Sequence, residues 1–487
     1  MDWKASPAFA ASRKTDAIVL FRPKGKKDLL KINVPDAALQ AAARTAAKAG
    51  EFSGGNGETL LLHGGTGGRR LLLVGVGKRK EGDHEALRLA AGVAARKLNA
   101  RAIGRATFLI PAGGDAADAR AVVEGAGLGM YRFDRYIGSS KKPSLTHALA
   151  APESGKIAGL AAAVSEASAI VDAVSFARDL GNLPGNICTP SYLASQARKL
   201  AGGALKVKVH GRADIKRMKM GAFSAVAQGS ENEPKLIEFT YRGAPSKKKT
   251  LAFVGKGVTF DTGGISIKPP PGMEDMKFDM GGGGAVFGLM HLVAALKPKI
   301  NIHALVPSTD NMPDGAAYRP GDILTARNGK TIEVHSTDAE GRLLLCDALA
   351  YASEKKPDCI VDLATLTGAC VVALADAACG LFGNDDGMIE EFKAASGTSG
   401  EEAWHMPLYS RYTDMMKGTY ADLQNSGSRW GGACTAAAFL QEFVDGRPWV
   451  HLDIAGVGWA DATKSYRSKG ATGYGVRLLW EFLKNRR

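Results

Sequence analysis

The segment 336–343, Ser-Thr-Asp-Ala-Glu-Gly-Arg-Leu, constrains the fold more than any other stretch, because its charged side chains need partners. Asp338 and Glu340 stand two residues apart, so in an extended loop both carboxylates project to the same side. Gly341 lets the backbone bend tightly, and Arg342 adds a cation beside the acids. This pattern is common in solvated turns. Two oxygen ligands beside an arginine also suit a divalent metal and an anionic intermediate.

A second group of charged residues lies upstream, within 255–284. The apolar run 251–254 predicts a strand, and the Gly-Lys-Gly after it predicts a loop. Gly263, Gly264 and the glycines at 281–284 permit close approach of the backbone to a bound ion or ligand. Two lysines and two acids carry the chemistry of the segment: Lys256, Asp261, Lys268 and Asp279. Buried charges need compensation, which either a metal site or a network of salt bridges would provide.

The two segments together supply four carboxylates, which repel one another unless dications lie among them. Two divalent ions bridged by shared carboxylates make a hydrolytic site. Other metal sites are disfavoured, because the chain has no His-Glu-x-x-His run and its six cysteines form no Cys-x-x-Cys pair. These cysteines are expected to be buried thiols in a reducing compartment.

These motifs resemble those of the leucyl aminopeptidases, a cytosolic, two-metal, hexameric family. The family signature is Asn-Thr-Asp-Ala-Glu-Gly-Arg-Leu, and Ser336 replaces its asparagine here. The family pattern G-K-G-x-x-F-D-x-G-G-x-x-x-K matches residues 255–268, with Asp279 at the expected distance. Five further segments resemble the family: 125–136, 178–190, 362–369, 431–440 and 451–456. The resemblance is strong over residues 125–487 and weak over the first 120.

The resemblance implies two divalent ions per subunit, Mn²⁺ or Zn²⁺. Asp261 and Glu340 would bridge them, Lys256 and Asp279 would complete the tighter site, and Asp338 the looser one. A lysine binds metal only when it is neutral, so the ions would have to depress its pKa. The nucleophile would be a water molecule bridging the metals. Lys268 would stabilise the oxyanion, and Arg342 would hold a bicarbonate ion that serves as general base.

The resemblance also implies an aminopeptidase that releases leucine and other apolar residues from peptides. The substrate's α-amino group would bind a metal and Asp279, which would restrict activity to a free N-terminus. Met276, Thr365 and Ala433 fall near positions that line the apolar pocket for the first side chain; Met276 and Ala433 could equally be packing residues. Ser336 keeps a hydrogen-bonding group but is shorter than asparagine, so we expect an altered affinity for the looser metal.

The alternation of apolar runs with helical segments predicts an α/β protein. We expect a smaller N-terminal α/β domain at 1–150, a linker helix at 151–178 and a larger catalytic domain at 179–487. The catalytic domain should hold a mixed sheet flanked by helices, with the site at strand ends. The apolar stretch 359–382 is interrupted by Asp362 and a Thr-Leu-Thr-Gly sequence, which favours a buried strand, loop and helix over a membrane span.

The formal net charge of +14 leaves one alternative open, a peptidase that additionally binds DNA through a basic surface. The basic clusters are 24–27, 78–80 and 247–249. They lack interleaved aromatic residues, so a solvated face is favoured. The N-terminus shows no signal-peptide pattern, and a cytoplasmic protein is expected. The resemblance implies a homohexamer.

Overall fold

The computed structural model describes residues 1–8, 15–25, 34, 36–80 and 82–486. The chain divides into two compact units. Unit one comprises Met1–Ser175 and Ala462–Lys469, and unit two comprises Phe176–Asp461 and Gly470–Arg487. The first boundary falls inside one helix, Leu160–Asn182. The domain limits expected from the sequence stay a prediction. Lys26 and Lys27, in the first basic cluster, lie outside the described residues.

Unit one is a sheet covered by helices on both faces. Its strands are β1 Asp2–Ala5, β2 Ala17–Arg22, β3 Thr59–Leu62, β4 Arg70–Gly75, β5 Arg105–Ile110 and β6 His147–Pro152. They lie in the order β1-β6-β5-β2-β4-β3, and all neighbours are parallel except β3 and β4. Its helices are α1 Ala37–Ala49, α2 His84–Ala100, α3 Ala116–Gly129 and the start of α4 Leu160–Asn182.

The alternation of side chains along β2 explains the two layers of helices in unit one. Val19 and Phe21 point to the face that α2 and α3 cover, whereas Ile18 and Leu20 point to the face that α1 covers. Both faces of the strand are therefore buried, as in parallel sheets generally.

Unit two is built on a nine-stranded mixed sheet. Its strands follow the order β16-β15-β18-β14-β9-β11-β8-β7, and β10 also pairs with β11. These strands are β7 Leu205–His210, β8 Lys235–Arg242, β9 Leu251–Gly255, β10 Gly257–Asp261, β11 Asn301–Asn311, β14 Cys359–Ala364, β15 Cys379–Gly383, β16 Ala403–His405 and β18 Trp449–Asp453. Smaller sheets contain β12 Ile323–Thr325, β13 Thr331–Glu333 and β17 Leu423–Gln424, and the pair β19 Trp459–Ala460 and β20 Gly470–Ala471.

Helices flank this sheet, as the sequence predicts. They are α5 Pro190–Leu200, α6 Arg212–Arg217, α7 Gly221–Val226, α8 Gly281–Leu296, α9 Gly341–Glu354, α10 Gly368–Leu374, α11 Asp386–Ser399, α12 Ser410–Asp414, α13 Gly432–Gln441 and α14 Val476–Asn485. The predicted α/β architecture with a larger mixed-sheet domain is confirmed.

The glycines at 281–284 have a different role from the expected one, since they form the first turn of α8. A Cβ at Gly282 would lie 2.0 Å from the carbonyl oxygen of Leu363. A Cβ at Gly283 would lie 3.0 Å from the carbonyl oxygen of Lys256. The close approach that glycine permits is thus between a helix and the strand ends of the sheet.

The apolar stretch at 359–382 forms β14, a loop, α10 and most of β15, which confirms the predicted buried strand, loop and helix. Two other segments are long and apolar enough to span a membrane by length and composition alone, Leu160–Asn182 and Met273–Leu296. In the second, 72% of the most apolar window is buried, as in a core helix.

A half-buried acid joins three strands at one edge of the large sheet. Glu238 on β8 accepts from Nε2 of His210 on β7 at 2.9 Å and from Nε2 of His303 on β11 at 2.8 Å. Burial raises the pKa of Glu238, but the two histidines outweigh it and lower the pKa to about 2.

Candidate metal centre

The predicted site residues come together where parallel strands of unit two end. Lys256 follows β9, and Asp261 is the last residue of β10. Asp279 follows a short 3₁₀ helix, Met273–Phe278, and precedes α8. Glu340 immediately precedes α9. β9 and β10 run one after the other along β11 and parallel to it, so Lys256 lies at the break between them and Asp261 lies at the carboxyl end.

Lys256 is buried at the closed side of the cluster. Its Nζ lies 2.6 Å from Oδ2 of Asp279 and 2.8 Å from Oε1 of Glu340. It also donates to the carbonyl oxygen of Thr365 at 2.9 Å. Burial lowers the pKa of Lys256, but the surrounding carboxylates outweigh it and raise the pKa above its usual value.

Lys268 lies at the open side. Its Nζ is 2.8 Å from Oδ2 of Asp261 and 2.5 Å from Oδ1 of Asp338. The Lys268 and Asp338 side chains are 22% and 38% exposed, whereas that of Asp261 is 3% exposed. Burial lowers the pKa of Lys268, and the nearby acids, with Asp261 the strongest, raise it overall. Lys268 therefore stays charged.

The chemistry of the donor set fits divalent cations. One oxygen each from Asp261, Asp338 and Glu340 lies within 4.8 Å of the others. Oε2 of Glu340 is buried and, among the described residues, has no hydrogen-bond partner. Burial, followed by repulsion from Asp261, raises the pKa of Glu340. Two lysines cannot neutralise four carboxylates, so the cluster retains a net negative charge that dications would balance.

Three polar side chains stabilise the two segments of the site through hydrogen bonds. None of them was identified from the sequence. Asn311, at the end of β11, donates from Nδ2 to Oδ1 of Asp261 at 2.8 Å and to the carbonyl oxygen of Thr337 at 3.0 Å. The Tyr318 hydroxyl donates to the same carbonyl oxygen at 2.8 Å. The Thr337 hydroxyl donates to the carbonyl oxygen of Gly263 at 2.6 Å. The only signal for Asn311 was its polar side chain at the carboxyl end of an apolar strand.

Asn425 positions the loop at the start of the family signature, although it lies 89 residues after Ser336 in the chain. Its Oδ1 accepts the N–H groups of His335 at 2.8 Å and Ser336 at 3.3 Å, and its Nδ2 donates to the Ser336 carbonyl oxygen at 2.6 Å. Its own carbonyl oxygen accepts from Nη1 of Arg342 at 2.9 Å. Nothing in the local sequence around Asn425 signals this role.

Arg342 is a buried cation with spare donors. Its Nε has no hydrogen-bond partner within the part of the chain that the structure describes. Burial lowers the pKa of Arg342 to about 10, although Glu340 and Asp453 oppose the shift. The side chain can therefore hold a small anion next to the carboxylates.

The three residues expected to line the substrate pocket have different surroundings in the structure. The Thr365 hydroxyl donates to Oδ1 of Asp279 at 2.7 Å, so this residue is part of the cluster. Met276 is half-buried on the 3₁₀ helix that leads into Asp279. Ala433 is buried on α13 in the same hydrophobic cluster as Cys370 of α10. The roles of Met276 and Ala433 at the substrate stay predictions.

Two further observations concern residues outside the centre. All six cysteines are free and buried, which agrees with the expectation of buried thiols. His451 is fully buried and its Nδ1 lies 2.6 Å from Oδ1 of Asp362, so it belongs to the packed core.

The chain matches two family models. The model for the catalytic domain of the cytosol aminopeptidase family matches residues 175–480. The model for the N-terminal domain of the same family matches residues 18–139. The chain belongs to the cytosol aminopeptidase family. A probable cytosol aminopeptidase of Geobacter sp. (strain M21) is 45% identical over 459 residues, 93% of each chain. One from Syntrophotalea carbinolica is 43% identical over 98% of each chain.

Solved structures agree with this membership. A mutant of tomato leucine aminopeptidase has a TM-score of 0.89 and 33% identity, over 100% of this chain and 96% of that one. The bottromycin maturation enzyme BotP in complex with Mn has a TM-score of 0.86 and 34% identity, over 97% and 99% of the two chains. The resemblance drawn from the sequence is confirmed, and the protein is a metal-dependent aminopeptidase.

Proposed function

We propose that this aminopeptidase releases leucine and other apolar residues from the N-terminus of peptides with two divalent ions, Mn²⁺ or Zn²⁺. The observation that carries the proposal is the cluster of four carboxylates and two lysines at the strand ends of unit two. A related enzyme of the same fold is described in complex with Mn.

The donor set divides into shared and individual ligands. Asp261 and Glu340, the most central acids, would bind both ions, Lys256 and Asp279 the buried one, and Asp338 the exposed one. When bound, the ions would acidify a water molecule and polarise the peptide carbonyl. Lys256 has to lose its proton before it can act as a ligand, because an ammonium group has no lone pair.

The remaining polar residues act on the substrate. The Lys268 ammonium, on the open side of the cluster, would donate to the oxygen that becomes negative when the peptide carbonyl is attacked. Arg342 would hold a bicarbonate ion through its spare donors, and this ion would supply a general base beside the centre. Asp279, oriented by Thr365, would accept from the substrate's free α-amino group, which excludes blocked peptides.

Met276, Thr365 and Ala433 would line an apolar pocket for the first side chain. We further propose a cytoplasmic enzyme that assembles as a homohexamer, as the family resemblance implies. The exposed aromatic residues of unit two, among them Trp404 and Trp430, provide apolar surface that such assembly could bury.

Hydrolysis of leucine p-nitroanilide before and after removal of metal tests the proposal. We expect activity to vanish on chelation, to return with Mn²⁺ or Zn²⁺, and to be absent with N-acetyl-leucine p-nitroanilide. The activity of the matched variant Asp261→Asn should not return with either metal, because the variant lacks the carboxylate charge that would bind both ions. Activity that persists in thoroughly metal-free protein would overturn the mechanism.

A further inference from the structure

A second charged cavity lies in unit two, formed by α6, α7 and the turn between β12 and β13. Its volume is about 760 Å³, within the usual range for small-molecule sites. We call it the basic pocket, because four cationic side chains line it: Arg212, Lys216, Lys219 and Arg327. No aspartate or glutamate is among its lining residues.

The positive charge of this pocket is partly compensated. Arg327 forms an ion pair with Glu354 at 2.7 Å. The Arg212 guanidinium donates to the carbonyl oxygens of Ala227 at 3.3 Å and Ser230 at 3.4 Å, and the Glu233 carboxylate lies nearby, where it accepts the Arg212 backbone N–H at 3.2 Å. In the described part of the chain, no carboxylate oxygen lies within 4.0 Å of the Lys216 or Lys219 ammonium. Cations that converge on one cavity repel one another unless an anion enters.

The backbone of Lys219 places its side chain at the pocket. Lys219 follows the end of α6 with a φ of +57°, a conformation that favours glycine. The helix end is closed around it, since the N–H of Met220 donates to the Ile215 carbonyl oxygen at 3.2 Å. Lys297 and Lys356 share this backbone conformation, so it explains the position of the Lys219 ammonium without by itself indicating a ligand.

We propose that the basic pocket binds a compact polyanion with at least two phosphate groups. Several cations facing one cavity favour a multiply charged ligand over a monovalent anion. Ser224, Gln228 and Asn328 also line the pocket and offer hydroxyl and amide donors of the kind that bind phosphate oxygens.

Calorimetric titration of the metal-loaded enzyme with inorganic triphosphate, at about 0.15 M salt, tests the proposal. The Lys216→Ala/Lys219→Ala variant should bind about tenfold or more weakly, because it loses two charge-assisted hydrogen bonds. Lys247→Ala/Lys248→Ala is the matched control, since it removes two exposed lysines from another part of the same unit. Triphosphate also binds the catalytic metals in every variant, so the difference between variants is the measurement.

A second variant separates binding from folding. Lys219→Gly should leave the melting temperature unchanged or raise it, because the backbone conformation suits glycine, while it weakens triphosphate binding. Comparison with adenosine triphosphate then shows whether the phosphates come from a nucleotide, which would bind more tightly than triphosphate if the site also contacts the nucleoside. Three outcomes would each overturn the proposal: equal weakening in the Lys247→Ala/Lys248→Ala control, triphosphate binding to the wild type that is no tighter than to Lys216→Ala/Lys219→Ala, or preferential binding of duplex DNA through Lys216 and Lys219.

Discussion

Gly341 offers a direct test of how accurately Lys256 has to be placed. Gly341 is the first residue of α9, directly after Glu340. A Cβ added there would lie 2.7 Å from Cε, 2.8 Å from Cδ and 2.8 Å from Nζ of Lys256. Carbon atoms in good contact lie roughly 3.5–4.0 Å apart, so the Lys256 side chain would have to move by roughly 1 Å in a Gly341→Ala variant.

Lys256 cannot make this movement without losing partners. Its Nζ is held by Asp279, Glu340 and the carbonyl oxygen of Thr365, all within 2.9 Å, and the side chain is 3% exposed. A misplacement of about 1 Å near the reacting groups can lower activity about 100-fold. Alanine is the better helix former by up to about 1 kcal/mol, so the helix itself should not lose stability.

We therefore expect Gly341→Ala to lower kcat/KM for leucine p-nitroanilide about 100-fold while the protein remains folded. The matched control is Gly397→Ala, an exposed position within α11 where a Cβ meets nothing within 4 Å. Its activity should equal that of the wild type. If Gly341→Ala retains activity within a few-fold of the wild type, then activity does not depend on the exact position of the Lys256 side chain. Circular dichroism and the melting temperature would reveal a loss that comes from unfolding instead.

Four further predictions concern the centre and the stability of unit two. Asn425→Ala should weaken the binding of the metal proposed at Asp338 about tenfold or more, because the loop loses three hydrogen bonds; an unchanged metal titration would contradict this. Lys268→Ala should lower kcat by about 100- to 1,000-fold with little change in KM, and a change in KM alone would argue against a role in the transition state. Ser336→Asn, which restores the family residue, should raise the affinity of the same site for metal. Equal affinities of the variant and the wild type in calorimetry would show that Ser336 does not affect this site. Glu238 has a pKa of about 2 in the fold and 4.5 as its ordinary value, so it contributes stability above pH 4.5 that is lost as the pH falls towards 2. Its partial exposure limits this to about 1–2 kcal/mol. The urea midpoint of the wild type should therefore fall more steeply over this pH range than that of Glu238→Gln, and parallel curves would refute the assignment.

The sequence located the chemistry of the centre because charged side chains in apolar, glycine-rich surroundings require partners. Lys256, Asp261, Asp279 and Glu340 were identified on that ground, and the structure brings them within contact of one another. The roles assigned to each stay predictions that the variants above address. The family was evident because its motifs occur in order along most of the chain.

The supports of the centre could not be predicted in the same way. Asn425 acts through hydrogen bonds to backbone groups, and any residue type at 335 and 336 presents those groups. Neither composition nor spacing encodes such a contact. The helical role of the glycines at 281–284 was also missed, because glycine is a weak helix former and the gain comes from packing against strand backbone. Only the three-dimensional arrangement shows that gain.

The exposure of the site explains why its two halves should differ. Lys256, Glu340 and Asp279 have side chains no more than 7% exposed, so a cation among them is shielded from water on most sides. Asp338 is 38% exposed and is held by a loop that depends on Asn425 and Thr337. Charge interactions are stronger in the buried half, because water screens them less. Burial therefore supports the proposal of a tighter metal at Lys256 and a looser one at Asp338, and the open side would give the peptide access to Lys268.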